Sequence, residues 1–323
     1  MFKTKITELL GIEYPIIGGT MMDLSLAPFV AAISNAGALG VIASAVFKDP
    51  EELRKELKKT RDLTDKPFAV NINLFPMLAP PDNKAFLDVI KAEGVSIVET
   101  SGHSAPVDLV ALFKEYGITW IHKCVGVKFA KKVAALGADA VTVVGYENGG
   151  ATGNLNVTTM VLVPSVVDAV NVPVIGGGGV ADGRGLYAVL SLGAEAAIVG
   201  SRFVLSEECP VHINLKKALV EATELDTDII MRSIGFAHRV WFNEPAKRTA
   251  EIEKNGGGFE DILPLVAGKA AKAMYETGDI NAGVISMSQG IGLVKKIMPM
   301  KDIVQEMMGQ AALIHKRLSP LSR

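Results

Sequence analysis

The chain has little of several things that usually betray a function early. Only two cysteines occur in 323 residues, Cys124 and Cys209. They lie far apart, which excludes a disulfide framework and any cysteine-based metal spacing, so both read as ordinary buried thiols. The formal net charge is −2, with Lys and Arg dispersed along the chain. That balance gives no electrostatic footprint for nucleic acid or an anionic membrane. No apolar run reaches spanning length, and the opening "MFKTKITELLGIEYP" has no signal-like apolar core, so a cytoplasmic location is expected. His212 and His238 belong to no multi-ligand metal pattern, so no metal is expected. What remains is a small-molecule partner.

What the chain does have is a rhythm. Hydrophobic residues make up 49% of it, enough for a large core. Short apolar runs recur at 15–17, 39–43, 68–70, 96–98, 118–121, 140–144, 172–175 and 196–199. Continuous apolar runs suit parallel strands covered on both faces. The amphipathic stretches between them, such as "DPEELRKELKKTRDL" and "GVKFAKKVAALG", suit surface helices. Eight such units predict an α/β protein of the (β/α)₈ TIM-barrel class. From 223 to 290 the text turns helical and loop-rich, with "EKNGGGFED" as an exposed turn. The reading is therefore a barrel of residues 1–222 plus 291–323, with a small helical insert, 223–290, placed as a substrate lid.

Barrel chemistry belongs at the C-terminal strand ends. There the sequence offers "GGTMMD" (18–23), Asn71 and Asn73, "ETSGHS" with His103, "HKC" with Lys123, "GYENGGATGN", "GGGGVADGRG" and "GSRF". Glycines ending the seventh and eighth strands let successive backbone N–H groups converge on a phosphate. A tight turn without ligand is the plain alternative. A loose dinucleotide pattern, Gly176, Gly178 and Ala181 with Glu195 downstream, is rejected. Glu195 stands at the wrong end of its strand, and the motif opens the seventh unit rather than the first. Lys123, at the end of the fifth strand, would set a cation beside a flavin's pyrimidine edge, the alternative being an exposed loop lysine. His122, next to it, should point away from the interior and pack.

The residues then resemble a known family. "PIIGGTM", "SNAGALGVI", "IHKCVGVKFAKKVAALGADAVTVVGYENGG", "GGGGVADGRGLYAVLSLGAEAAIVGSRF", "TDIIMRS" and "SMSQGIG" together are similar to the nitronate monooxygenase family, formerly called 2-nitropropane dioxygenases. That family is related to flavin-dependent enoyl-acyl carrier protein reductases and contains NADH:quinone reductases, the branch this chain resembles more closely. The resemblance implies non-covalent FMN. Gly19, Thr20 and Met21 would lie along the ring system, Asn71 and Asn73 would bond its polar edge, and Lys123 would sit near N1. Gly178, Gly179, Gly200 and Ser201 would hold the phosphate, and Gln289 and Gly290 would face the flavin or substrate.

One departure shapes the functional expectation. Where the family pattern carries a histidine in the sixth loop, this chain has Ala151, which exchanges no proton. Base-dependent nitroalkane oxidation is therefore disfavoured, and His103 is the candidate substitute acid or substrate anchor. Met22, Tyr146, Asn148 and Ala151 are the expected substrate contacts. The leading expectation is an FMN-dependent oxidoreductase in which NADH or NADPH reduces the flavin and a quinone, enone or acyl-CoA-type substrate reoxidises it. Nitronate oxidation with O2 is the alternative. A flavin-free aldolase or isomerase built on Lys123, and a non-catalytic flavin-binding protein, are the readings from other classes. A homodimer is expected from apolar helical text such as "ISMSQGIGLVKKIMP".

Overall fold

A computed structural model describes residues 2–75, 82–102 and 104–319. Eight parallel strands follow one another around a barrel: β1 (Ile16–Gly18), β2 (Gly40–Ala43), β3 (Phe68–Asn73), β4 (Ile97–Ser101), β5 (Thr119–Cys124), β6 (Ala140–Val144), β8 (Val174–Gly177) and β9 (Ala196–Val199). β1 pairs with β9 at one seam. At the other, Gly18 N–H donates to Leu39 O and Leu39 N–H to Ile16 O, which closes the ring. Each strand coincides with one of the eight apolar runs, because both faces are covered and neither needs polar residues.

Alternation then separates two apolar layers. One set faces the surrounding helices, including Val70, Val98, Trp120, Val141 and Val143. The other fills the lumen: Ile17, Leu39, Val41, Ala69, Ile97, Ile121, Ala140, Ile175 and Ala196. Helix Lys5–Leu10 plugs the N-terminal end by inserting Ile6 and Leu10 among these residues. Glu195, at the start of β9, ties that plug down. It accepts from Thr4 Oγ1 through its carbonyl (2.6 Å) and from Lys5 N–H through Oε2 (3.0 Å). The acid of the loose dinucleotide pattern thus belongs to the bottom of the barrel.

The segment after β9 carries helices Glu244–Lys254, Phe259–Val266 and Gly268–Thr277, as the helical reading expects. It also carries strands. β10 (Thr227–Ile230) and β11 (His238–Trp241) pair antiparallel, and β11 pairs with β7 (Gly150–Ala151) from the sixth barrel loop. A small core of Ile230, Val240, Ala246 and Val284 lies beneath them. Four-residue strands carry too short an alternation to stand out in text, and the third partner comes from a distant part of the chain. Among the described residues, no helix is long and apolar enough to cross a membrane.

Candidate active site

Alternation along the strands carries the lumen upward from apolar to polar. Above Ala69, Ile97 and Ile121, the next inward positions are Asn71 on β3, Glu99 and Ser101 on β4, Lys123 on β5 and Thr142 on β6. Asn73, Ser101, Lys123 and Thr142 stand in register as one level, with Asn71 and Glu99 in the level below. Glu99 organises the floor. Its Oε2 accepts from Asn71 Nδ2 (2.7 Å) and from Thr20 Oγ1 (2.9 Å), and lies 3.5 Å from Lys123 Nζ. Reaching Thr20 means crossing the lumen to the loop after β1.

This network assigns the two asparagines different work. Asn71 Nδ2 is committed to Glu99 and to Ser101 Oγ (3.2 Å), and the residue is only 3% exposed. Asn73 sits a level higher, half-buried. Its Oδ1 accepts from Phe75 N–H, and no described residue accepts from its amide group. Asn73 is thus the asparagine with a donor left for a ligand. Thr142 Oγ1, beside Lys123, is buried without a partner among the described residues. A buried orphan hydroxyl costs free energy unless something outside the chain engages it.

The glycine run resolves into several separate demands. Gly178 and Gly179 hold φ of +104° and +73°, left-handed values that a side chain resists. A Cβ on Gly178 would lie 2.5 Å from Thr159 Oγ1. Among the described residues, no backbone acceptor engages the N–H groups of Gly178, Gly179 or Gly200. A Cβ on Gly200 would enter open space, so the backbone there faces a void. Ser201 Oγ accepts from Ser288 N–H (2.8 Å), which ties the "SQG" segment to the end of β9. Gln289 N–H donates to Glu147 O (3.1 Å), and Gly290 packs on Gly179 so closely that a Cβ would sit 2.7 Å from its carbonyl oxygen. Gly183, further along the run, lets the C-terminal helix Met300–Leu318 approach, and its N–H donates to Gln310 Oε1 (2.9 Å).

The remaining expected residues surround this mouth unequally. Gly19 N–H donates to Val199 O (2.8 Å), and Met21 is half-buried while Met22 is exposed. Tyr146 lies under the Arg239 guanidinium, 4.7 Å from ring centroid to carbon. Asn148 folds back on its own loop, donating to Gly149 O (2.6 Å). Ala151 is exposed and pairs in register with His238 on β11. His103 lies outside the described residues. His122 packs as expected, 2% exposed, with Nδ1 against Thr100 Oγ1 (2.8 Å). Burial holds its pKa down to about 4, the Glu99 charge opposing and the Lys123 charge adding to the shift. Burial likewise pushes the Cys124 and Cys209 thiols up to about 12, which suits inert sulfurs. No cluster of His, Cys, Asp or Glu among the described residues could hold a metal.

Sequence reading missed Glu99 as a site residue. The signal was present: an acid two positions after Ile97 shares its inward face, and a carboxylate inside a parallel barrel needs a reason. Arg239, 2% exposed and donating to Tyr146 O and Thr227 Oγ1, was also passed over, hidden in a stretch read as helical.

Known proteins place the chain among relatives of the same fold. The chain is 40% identical to the (3aS,4S,5R,7aS)-5-hydroxy-7a-methyl-1-oxo-octahydro-1H-indene-4-carboxyl-CoA dehydrogenase of Rhodococcus jostii, over 96% of each chain. It is 31% identical to a probable nitronate monooxygenase of Staphylococcus saprophyticus, over 69% of this chain and 74% of that one. It superposes on the structure of FabK from Thermotoga maritima with a TM-score of 0.91 and 35% identity, covering 99% of this chain and 100% of that one. The curated relatives are oxidoreductases, and so is this protein, which removes the aldolase and non-catalytic readings. The nitronate monooxygenase profile matches residues 3–310, nearly the whole barrel and insert, and the chain belongs to that family.

Proposed function

We propose that the protein is an FMN-dependent oxidoreductase that moves a hydride between a nicotinamide nucleotide and a coenzyme A thioester. The observation that carries the substrate class is the relative named as a carboxyl-CoA dehydrogenase, 40% identical along nearly the full length of both chains. The mouth fits the cofactor. Free N–H groups at Gly178, Gly179 and Gly200 suit a phosphate, and a Cβ at Gly200 would meet nothing. Asn73, Lys123 and the orphan Thr142 hydroxyl supply donors for the carbonyl-rich edge of the ring system.

When bound, FMN supplies the two-electron hydride chemistry. The chain's own part is to bind, orient and balance charge. Lys123 keeps an ammonium at the mouth, its side chain 23% exposed, while Glu99 holds it from below. Thr20 and Asn71 are drawn to the same carboxylate, which fixes the loop after β1 against the floor. The 223–290 insert, tied to the barrel through β7 and through the Ser288–Ser201 bond, forms the wall over the mouth and helps exclude water. Ala151 offers no proton-exchanging group at the tip of that wall.

Nitronate oxidation is the second reading, favoured by the Staphylococcus saprophyticus relative. A preformed nitronate needs no base, so Ala151 does not exclude it. Anaerobic stopped-flow absorbance separates the two. The FMN-loaded protein is mixed with NADH, NADPH and propionate 3-nitronate in turn, and each reduced sample is then mixed with an enoyl-CoA or a quinone. Rapid bleaching by a nicotinamide and recovery by the thioester is the expected result. Bleaching by the nitronate alone would sink the thioester reading.

A further inference from the structure

Among the described residues, Glu99 is the one carboxylate that is buried, at 2% exposure. Removing a carboxylate from water is costly unless hydrogen bonds and a counter-charge surround it. Here the compensation is lopsided. Thr20 Oγ1, Asn71 Nδ2 and Lys123 Nζ all converge on Oε2, and no described residue donates to Oε1. A purely architectural role needs only an acceptor at Oε2, which a neutral glutamine supplies equally well. The extra feature of a glutamate is its charge, placed 3.5 Å from the ammonium of Lys123 and one level below it.

We propose that Glu99 is a positioning residue and built-in counter-ion: it fixes Lys123 beneath a flavin at the barrel mouth and cancels much of the lysine's field there. The proposal rests on the flavin reading above. Two opposite charges at this separation act on a ligand above them as a dipole rather than a monopole, so the lysine's stabilisation of added negative charge is attenuated. Removing the carboxylate charge unmasks the lysine. Removing the lysine leaves the carboxylate unopposed, and removing both restores a neutral floor.

Sulfite reads this field directly, because it adds reversibly to oxidised flavin, bleaches it, and binds more tightly the more positive the pyrimidine edge. FMN affinity is first measured by fluorescence titration of the apo-protein. Sulfite dissociation constants are then taken for wild type, Glu99→Gln, Lys123→Met and the double variant, with thermal unfolding of each apo-protein alongside. The expected pattern is about tenfold tighter sulfite in Glu99→Gln and about tenfold weaker in Lys123→Met, one pKa unit's equivalent each. The double variant is expected within about threefold of wild type, since losing both opposite charges leaves the net field at the mouth near its starting value. Should Glu99→Gln fail to fold, the double variant decides: a value far from wild type overturns the counter-ion role. Unchanged or weaker sulfite binding in a folded Glu99→Gln also overturns it. A wild-type protein that takes up no FMN overturns the flavin reading and this proposal together, which the first titration distinguishes.

Discussion

The two halves of the barrel lumen differ in everything but geometry. The lower half is Ile17, Leu39, Val41, Ala69 and Ile97, sealed by the plug helix. The upper half, in the rows above on β3 to β6, includes Asn71, Glu99, Ser101, Lys123 and Thr142. The lower half gains free energy from apolar burial at about 25 cal/mol per Å². The upper half buries charges and an unpartnered hydroxyl, arrangements that cost free energy in the isolated chain. One strand therefore serves stability at its start and presents polar groups to the mouth at its end.

Substitutions that respect this division sharpen it. The largest effect belongs to the lower half: Ile97→Ala should cost about 2–4 kcal/mol in urea unfolding while leaving FMN affinity within about threefold. A large loss of FMN affinity in the folded variant would mean the halves are coupled.

Next in size is a pH effect from the outer face of β5. His122 stays neutral in the folded protein down to about pH 4, whereas the unfolded chain takes up its proton near 6.5. The unfolded state thus binds more protons between those values, and stability falls as pH drops through that window. Between pH 7 and 5 this side chain should account for about 1–2 kcal/mol. His122→Leu should flatten the stability-versus-pH curve by that amount, because Thr100 Oγ1 keeps its bond from Trp120 Nε1 (2.7 Å). Identical curves for variant and wild type would refute the assignment.

The smallest effect on stability should come from the exposed Ala151. Ala151→His is expected to change unfolding free energy by less than about 0.5 kcal/mol. It should nevertheless add measurable oxygen consumption with a neutral nitroalkane, since it places a base where the wild type has none. No gain in the folded variant would show that more than this side chain separates the two activities.

The barrel was legible because each parallel strand is covered on both faces and so reads as an unbroken apolar run. The glycine loops and Lys123 were legible because strand ends are where such residues have chemical meaning. Glu99 was not, since a run-based reading stops at Val98 and assigns the next residues to a loop. Nor could text decide between Asn71 and Asn73, which are equivalent by alternation. Only the partners of Asn71, on β4, show that it is already engaged. The strands β10 and β11 escaped for a similar reason, because their pairing with β7 is a long-range fact.

The plug helix has a consequence for how the chain is made. Lys5–Leu10 leaves the ribosome well before its anchor Glu195, and β1 before β9, one of its two neighbours in the barrel. The lower end of the lumen cannot be sealed until the eighth barrel strand has emerged. Ile16 and Ile17 must wait through most of synthesis for their register partners Ala197 and Ile198, and Ile6 and Leu10 for the β9 part of the lumen cluster. Contacts of such sequence separation form late and leave apolar surface exposed meanwhile. The nascent stretch from Lys5 to Ile17 is thus one that should depend on chaperones until β9 is made.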